Sequence, residues 1–364
     1  MAWYNESWTY RVKITIQSSQ INSDLTEFPV YLRGSDFGAS TFTNAKSAAE
    51  DFRITKADGT TELPFEIVYY DSGSNEFLVH FKADFVSSSS DTVFYLYYGN
   101  SGASAYGAAD TYGRNNVWAD YYGVWHLRED FSSTSTAIDS TGNGRNFTVF
   151  NSPTNSAGKL SGNTLSLNGS NEYLAYADSS NAFSQEPMSI SFWFKPHSVS
   201  GGLQEVFSKG LAGNNRAAYS WQFAYNRPTV DDIRFGTSDG SGTAFVGTSL
   251  NIVNVWAHVQ GIIFSNGHIS LYHNGSLIQT NTSLSSLNNS PSNTSLNLGR
   301  VSGASGYYDG EIDSVRVRNA DVSADWIAAE YANQNSPATF YAVGGEETDG
   351  GGGPTFKPRV NWFM

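Results

Sequence analysis

"GEIDSVRV", residues 310–317, is the stretch on which the reading of this chain turns. Counted by twos, as an extended strand requires, Asp309, Glu311 and Asp313 fall on one face. The apolar residues do not keep that rhythm. Burying Ile312 together with Val315 and Val317 needs a change of phase, most simply a bulge at Asp313 or Ser314, and bulges often re-aim side chains next to a site. The stretch therefore predicts a buried strand that carries carboxylates on its outer face.

The flanking sequence supports a sheet on either side of it. Upstream, "WAHVQGIIFSNGHISLYHNGSLIQT" (256–280) sets two Asn-Gly pairs between β-type runs, which predicts three consecutive antiparallel strands. Downstream, "DVSADWIAAEYAN" (321–333) predicts a short helix, with Asp321 or Ser323 as its cap and Trp326, Ile327 and Tyr331 as an apolar stripe. Closer to the start, "YRVKITI", "FPVYLRG", "ELPFEIVYY", "NEFLVHFK" and "TVFYLYYGN" are separate β-type runs, and Val12, Ile14 and Ile16 alternate with Arg11, Lys13 and Thr15. The Gly, Ala and Ser stretch 100–116 reads as a join. The expected organisation is all-β: a small β-sandwich over residues 1–115, a larger β domain over 116–346 with one short helix near its end, and a Gly-rich linker with an extended tail over 347–364.

Composition narrows the function. With 364 residues, 35 of them Gly, and aromatic residues at 15%, the chain suits one or two packed β domains and not disorder. A net charge of −13 with no basic run argues against nucleic acid as a partner. No stretch approaches the roughly 20 continuous apolar residues that cross a bilayer, which sets membrane insertion aside. Without cysteine there is no disulfide, thiol nucleophile or Cys-ligated zinc. "MAWYNESWTYRVKITIQ" enters a strand-like run with no signal-peptide pattern, the pattern expected of a β-rich particle protein released by lysis.

The runs "MSISFWFKP", "EVFSKG", "VWAHVQGIIF", "HISLYHNGSLI" and "GYYDGEIDSVRVRNADVSADWIAAEY" occur in an order that resembles the laminin-G-like, concanavalin A-like lectin and glucanase jelly-roll family. "DSTGNGRN" (139–146) resembles that family's opening, while "WTYRVKITI", "DFRITKADGTTELPFEIVYYD" and "FYLYYGNSGA" are similar to a domain of unknown function that often precedes such modules. The resemblance implies a jelly roll for the second domain and a β-sandwich for the first.

Within that family, laminarinase-type hydrolases carry Glu, Asp and Glu on the corresponding strand, the two Glu roughly 5 Å apart. Here Glu311 and Asp313 are followed by Arg316 where the second Glu belongs. A guanidinium has no proton to give at ordinary pH, so no catalytic residue is assigned. The resemblance also implies a structural calcium that ties the opening loop to the closing strand, through Asp139, oxygens near Gly142 and Asn143, and Asp313. The alternative is an Asp139 that caps its own turn and an Asp313 paired with an arginine. "GTSDG" (236–240) matches a nucleophile elbow only by chance, because a β-type run follows it where a helix is needed.

A pyranose lays its C–H face on an aromatic ring, so Trp221, Tyr225, Tyr307 and Tyr308 in turn-rich stretches are candidate sugar platforms. The tail gathers Phe356, Val360, Trp362, Phe363 and Met364 behind a glycine run, which suggests a strap that docks on another subunit. Together these features predict a non-enzymatic, oligomeric or particle-bound protein on a virion surface, a capsid decoration or fibre component, that binds host or environmental glycans. A secreted adhesin or carbohydrate-binding module, and a polysaccharide hydrolase with an atypical site, are the alternatives.

Overall fold

The structure, a computed structural model, describes residues 2–160, 162–199, 202–210, 216–227, 230–300 and 306–349. The predicted tail residues Phe356, Val360, Trp362, Phe363 and Met364 lie outside the described residues.

Four sheets form among the described residues. The first domain pairs a five-stranded sheet, ordered 341–348, 10–16, 92–98, 53–56, 62–63, with a three-stranded one, ordered 25–33, 76–86, 65–71. Val12, Ile14 and Ile16 enter its core with Phe28, Val30, Phe77 and Phe81, as their alternation predicts.

Two eight-stranded sheets make the second domain. The front sheet runs 243–249, 230–238, 219–227, 204–210, 295–298, 173–177, 147–150, 136–137. The back sheet runs 154–157, 163–168, 309–318, 188–196, 257–263, 269–273, 276–281, and Tyr121–Trp125 pairs beside Asp309–Arg318. Their inner faces share one core, in which Phe192 meets Phe207 and Phe223 and Phe194 meets Tyr225. This is the expected all-β jelly roll.

Local expectations fare well in the back sheet. Both Asn-Gly pairs turn antiparallel hairpins, with Gly267 and Gly275 at φ 74° and 79°, where a side chain would be strained. Ile312, Val315 and Val317 are all fully buried in the core. The phase change that this requires falls at Ser314, whose φ is 54°, and the register against Met188–Pro196 shifts there. The helix spans Ala324–Asn335, capped by the Ser323 hydroxyl, which accepts from the Trp326 N–H at 3.2 Å.

The expected domain boundary needs correction at its far end. Tyr341–Thr348, assigned above to the second domain up to 346 and to the linker beyond it, pairs antiparallel with Tyr10–Ile16 and completes the first domain's larger sheet. Phe340, Tyr341, Trp326 and Ala329 bury in the first core. Apolar alternation marks a strand, but says nothing of which sheet it joins.

Candidate functional site

The bulge sets the outer face of the Asp309–Arg318 strand. With Ile312, Val315 and Val317 turned inward, Glu311, Asp313 and Arg316 point away from the jelly-roll core. The Ala324–Asn335 helix and the first domain cover much of that face. Arg316 is 1% exposed. Its guanidinium donates to Glu330 Oε1 at 3.0 Å on the helix, faces His80 Nε2 of the first domain at 3.3 Å, and lies 5.1 Å from the Trp118 ring. Burial and the Arg316 charge hold His80 well below the usual imidazole range, so it stays neutral and accepts. Asn333 on the same helix both donates to and accepts from the Tyr31 backbone, at 3.0 and 2.7 Å. The residue that replaces the second catalytic Glu is thus a fastening between domains.

Glu311 is equally engaged, accepting from Ser156 Oγ at 3.0 Å and His197 Nε2 at 2.7 Å, with Lys195 Nζ at 3.4 Å. Asp313 Oδ2 accepts the Lys159 and Leu160 N–H groups at 2.7 and 3.0 Å, yet its burial still raises its pKa. The Arg128 charge opposes that effect of burial, as the alternative of an arginine beside Asp313 expects. Asp139 caps its own turn: its oxygens accept from Val124 N, Thr141 N, Thr141 Oγ1 and Arg145 N. Gly142 is exposed, and Asn143 gives its amide to the Tyr121 carbonyl. Both Asp139 oxygens and Asp313 Oδ2 thus already accept hydrogen bonds, and no cluster of three acidic or histidine ligands exists among the described residues. The donor set does not fit the ion.

Three of the four aromatic candidates also need correction. Trp221, Tyr225 and Tyr308 are fully buried in the jelly-roll core, with Trp221 Nε1 donating to the Phe183 carbonyl at 2.7 Å. Each sits on the inner face because its strand places it in register with core neighbours. Tyr307 stays half-buried, its ring centroid 6.2 Å from Tyr173. Tyr173 in turn stacks on Phe150 at 4.5 Å and 9°, and the Arg300 guanidinium lies 3.3 Å from its ring centroid. Phe150 and Tyr173 were missed by sequence reasoning. The signal was present in alternation, since each lies one residue from an inward-facing neighbour, Val149 or Leu174.

The aromatic pair lies two residues along the strands from one end of a row that crosses the outer face of the front sheet. On the inner side, Leu174, Leu298, Phe207, Phe223, Phe235 and Val246 face one another strand by strand within the core. One residue over, Ala175, Asn297, Ser208, Gln222, Gly236 and Phe245 form a parallel row that must face outward. Asn297 and Ser208 are 0% exposed and Gln222 is 3% exposed. Among the described residues Asn297 Oδ1, Ser208 Oγ, Gln222 Oε1 and both Glu205 carboxyl oxygens have no hydrogen-bond partner. Glu205 lies opposite Ala224 on this face, and burial raises its pKa to about 8, opposed by the Arg234 charge. Buried polar groups are nearly always satisfied, and an orphan costs about 1–3 kcal/mol, so several on one face call for an explanation.

Comparison with known proteins agrees with this architecture. Residues 168–328 match the concanavalin A-like lectin/glucanases superfamily, and residues 48–141 match a domain of unknown function, DUF2341. No curated protein matches the chain in sequence. Similar solved structures include the botulinum neurotoxin type G receptor binding domain, 16% identical with a TM-score of 0.43 over 59% of this chain and 51% of that one. The binding domain of neurotoxin serotype C1 gives 14%, 0.45, 59% and 52%. Domain 4 of AbnA, a GH43 extracellular arabinanase from Geobacillus stearothermophilus solved in complex with arabinotriose, gives 18%, 0.45, 58% and 98%. The chain spans about half the length of the neurotoxin domains it matches. The family matches thus fall on the jelly roll over residues 168–328 and, before it, on residues 48–141.

Proposed function

We propose that the protein is a non-catalytic glycan-binding module whose jelly roll takes saccharide on the outer face of the front sheet. The observation that carries this reading is the row of buried oxygens on Asn297, Ser208 and Gln222 without hydrogen-bond partners among the described residues. Oxygen acceptors side by side suit the hydroxyl donors of a sugar. Phe150, Tyr173 and Tyr307 at one end offer ring faces for its C–H groups. The row lies beneath the surface, so a saccharide reaches it only by displacing what overlies it, and association should be slow. On the back sheet, Arg316 stands where a proton donor would be needed, and its face is fastened to a helix. That supports binding without cleavage.

We place the module on a virion surface, as a decoration or fibre component that contacts other subunits through the apolar residues near 356–364. The support is compositional: a glycine run followed by Phe356, Trp362 and Phe363.

The glycan reading is tested by glycan-array binding of wild type and Asn297→Leu, alongside an assay for released reducing ends. Binding lost in the variant, with no release by either protein, is expected. Retained binding in Asn297→Leu, or release of reducing ends, would overturn it. The virion placement is tested by deleting residues 350–364 and assaying incorporation into particles.

A further inference from the structure

The first domain belongs to a family without assigned function, yet it holds a cavity of about 370 Å³. The cavity opens between the 46–50 loop, the Phe65–Asp71 strand and the 105–114 segment. Ala48, Ala49, Ala105, Ala108, Phe65 and Ile67 give it a mostly apolar wall of short side chains. Three charged residues share the lining: Glu50, Glu66 and Arg114.

Two of these charges are already used. Glu66 accepts from Trp118 Nε1 at 2.6 Å and His126 Nε2 at 3.0 Å, and Glu50 accepts from the Ala48 N–H at 3.1 Å. Arg114 is different. Among the described residues its guanidinium makes no hydrogen bond or ion pair, and its Nε is buried without a partner. The other guanidinium of this region, Arg53, shows the contrast: it bonds three backbone carbonyl groups and stacks 4.1 Å over Tyr106. A planar fork of five N–H donors held partly out of water with no acceptor is built to receive one.

We propose that this cavity binds a small cyclic monocarboxylate, with its carboxylate on the Arg114 fork and its ring against the alanine-lined wall beside Phe65. Size sets the first limit, since 370 Å³ lies near the lower end of ligand pockets, about 300–1,000 Å³, and holds a single ring. Charge sets the second. Two carboxylates already line the space against the one guanidinium, so a monoanion paired with Arg114 meets less repulsion than a phosphate dianion. Apolar walls set the third, favouring a ring with few hydroxyl groups over a free sugar.

The test uses the full chain and isothermal titration with benzoate, its neutral counterpart benzamide, and inorganic phosphate. Benzoate should bind about tenfold or more tightly than benzamide, the discrimination expected of one charge-assisted pair. Arg114→Gln should erase that preference. Ala48→Phe, at an exposed rim position, should narrow the mouth and weaken benzoate even if Arg114→Gln fails to fold. Equal affinity for benzoate and benzamide, no binding of either, tighter binding of phosphate, or benzoate affinity unchanged in Ala48→Phe would each overturn the proposal. Glycan binding by the front sheet should be unaffected by both variants, so the two sites fail or stand separately.

Discussion

Both outer faces of the jelly roll bury polar side chains, and among the described residues both leave some atoms without partners, Gln260 Oε1 and Arg316 Nε on the back sheet included; the clearest difference lies in the carboxylates. On the back sheet every one of Glu311, Asp313 and Arg316 has partners, drawn from three other segments and from the first domain. On the front sheet Asn297, Ser208, Gln222 and Glu205 leave oxygens without any among the described residues, although they are just as buried. Satisfied buried charge resists change and belongs to architecture, whereas orphaned buried polarity is tolerated where a ligand supplies what is missing.

Four substitutions would break or sharpen that contrast. The largest effect should come from Arg316→Ala, which strands Glu330 as a buried carboxylate and should cost about 3–5 kcal/mol in chemical denaturation. If the loss stays under about 1 kcal/mol, the back face is not a fastening. Next is Glu205→Gln. A carboxyl whose folded pKa is raised to about 8 keeps its proton in the native state while the unfolded chain loses it near the usual 4.5. Its unfavourable effect is therefore absent below about pH 4.5 and grows as pH rises towards 8. The Gln variant should be more stable than wild type at pH 8 by a few kcal/mol, since each tenfold change in proton affinity corresponds to about 1.4 kcal/mol. The gain should vanish near pH 4. Equal stability at pH 8 would refute it. Asn333→Ala removes both bonds to the Tyr31 backbone and should cost about 2 kcal/mol, loosening the helix from the first domain as read by hydrogen exchange. Smallest is Ser208→Ala, which removes an orphaned hydroxyl and should stabilise by about 1 kcal/mol or less while weakening saccharide binding. A Ser208→Ala that destabilises would show that the hydroxyl already has a partner.

Much of this was legible in the residues, and the parts that were not share a cause. The bulge could be placed at Asp313 or Ser314 because three apolar side chains in one short strand cannot otherwise face the same way. The hairpins at Gly267 and Gly275 announced themselves through Asn-Gly pairs, and Ser323 through its place before an apolar stripe. By contrast, Trp221, Tyr225 and Tyr308 looked available because turn-rich sequence surrounds them, while their burial depends on the cross-strand register of distant segments. The unpartnered row was invisible for the same reason: Asn297, Ser208 and Gln222 lie far apart in sequence and are ordinary residues singly. The role of Arg316 was half legible. Its chemistry excluded proton transfer, but its attachment to Glu330 and His80 depends on how the helix and the first domain pack.

The pairing of Tyr341–Thr348 with Tyr10–Ile16 bears on the order in which the chain acquires shape. During synthesis on the ribosome, the sandwich strands up to Tyr98 emerge before the jelly roll but lack an edge strand, and Phe28 lacks Phe340 and Trp326, until more than 240 residues beyond Tyr98 have been made. The jelly roll, whose strands all lie between residues 121 and 318, has everything it needs sooner. The jelly roll should therefore mature before the sandwich, whose strands up to Tyr98 wait for Tyr341–Thr348.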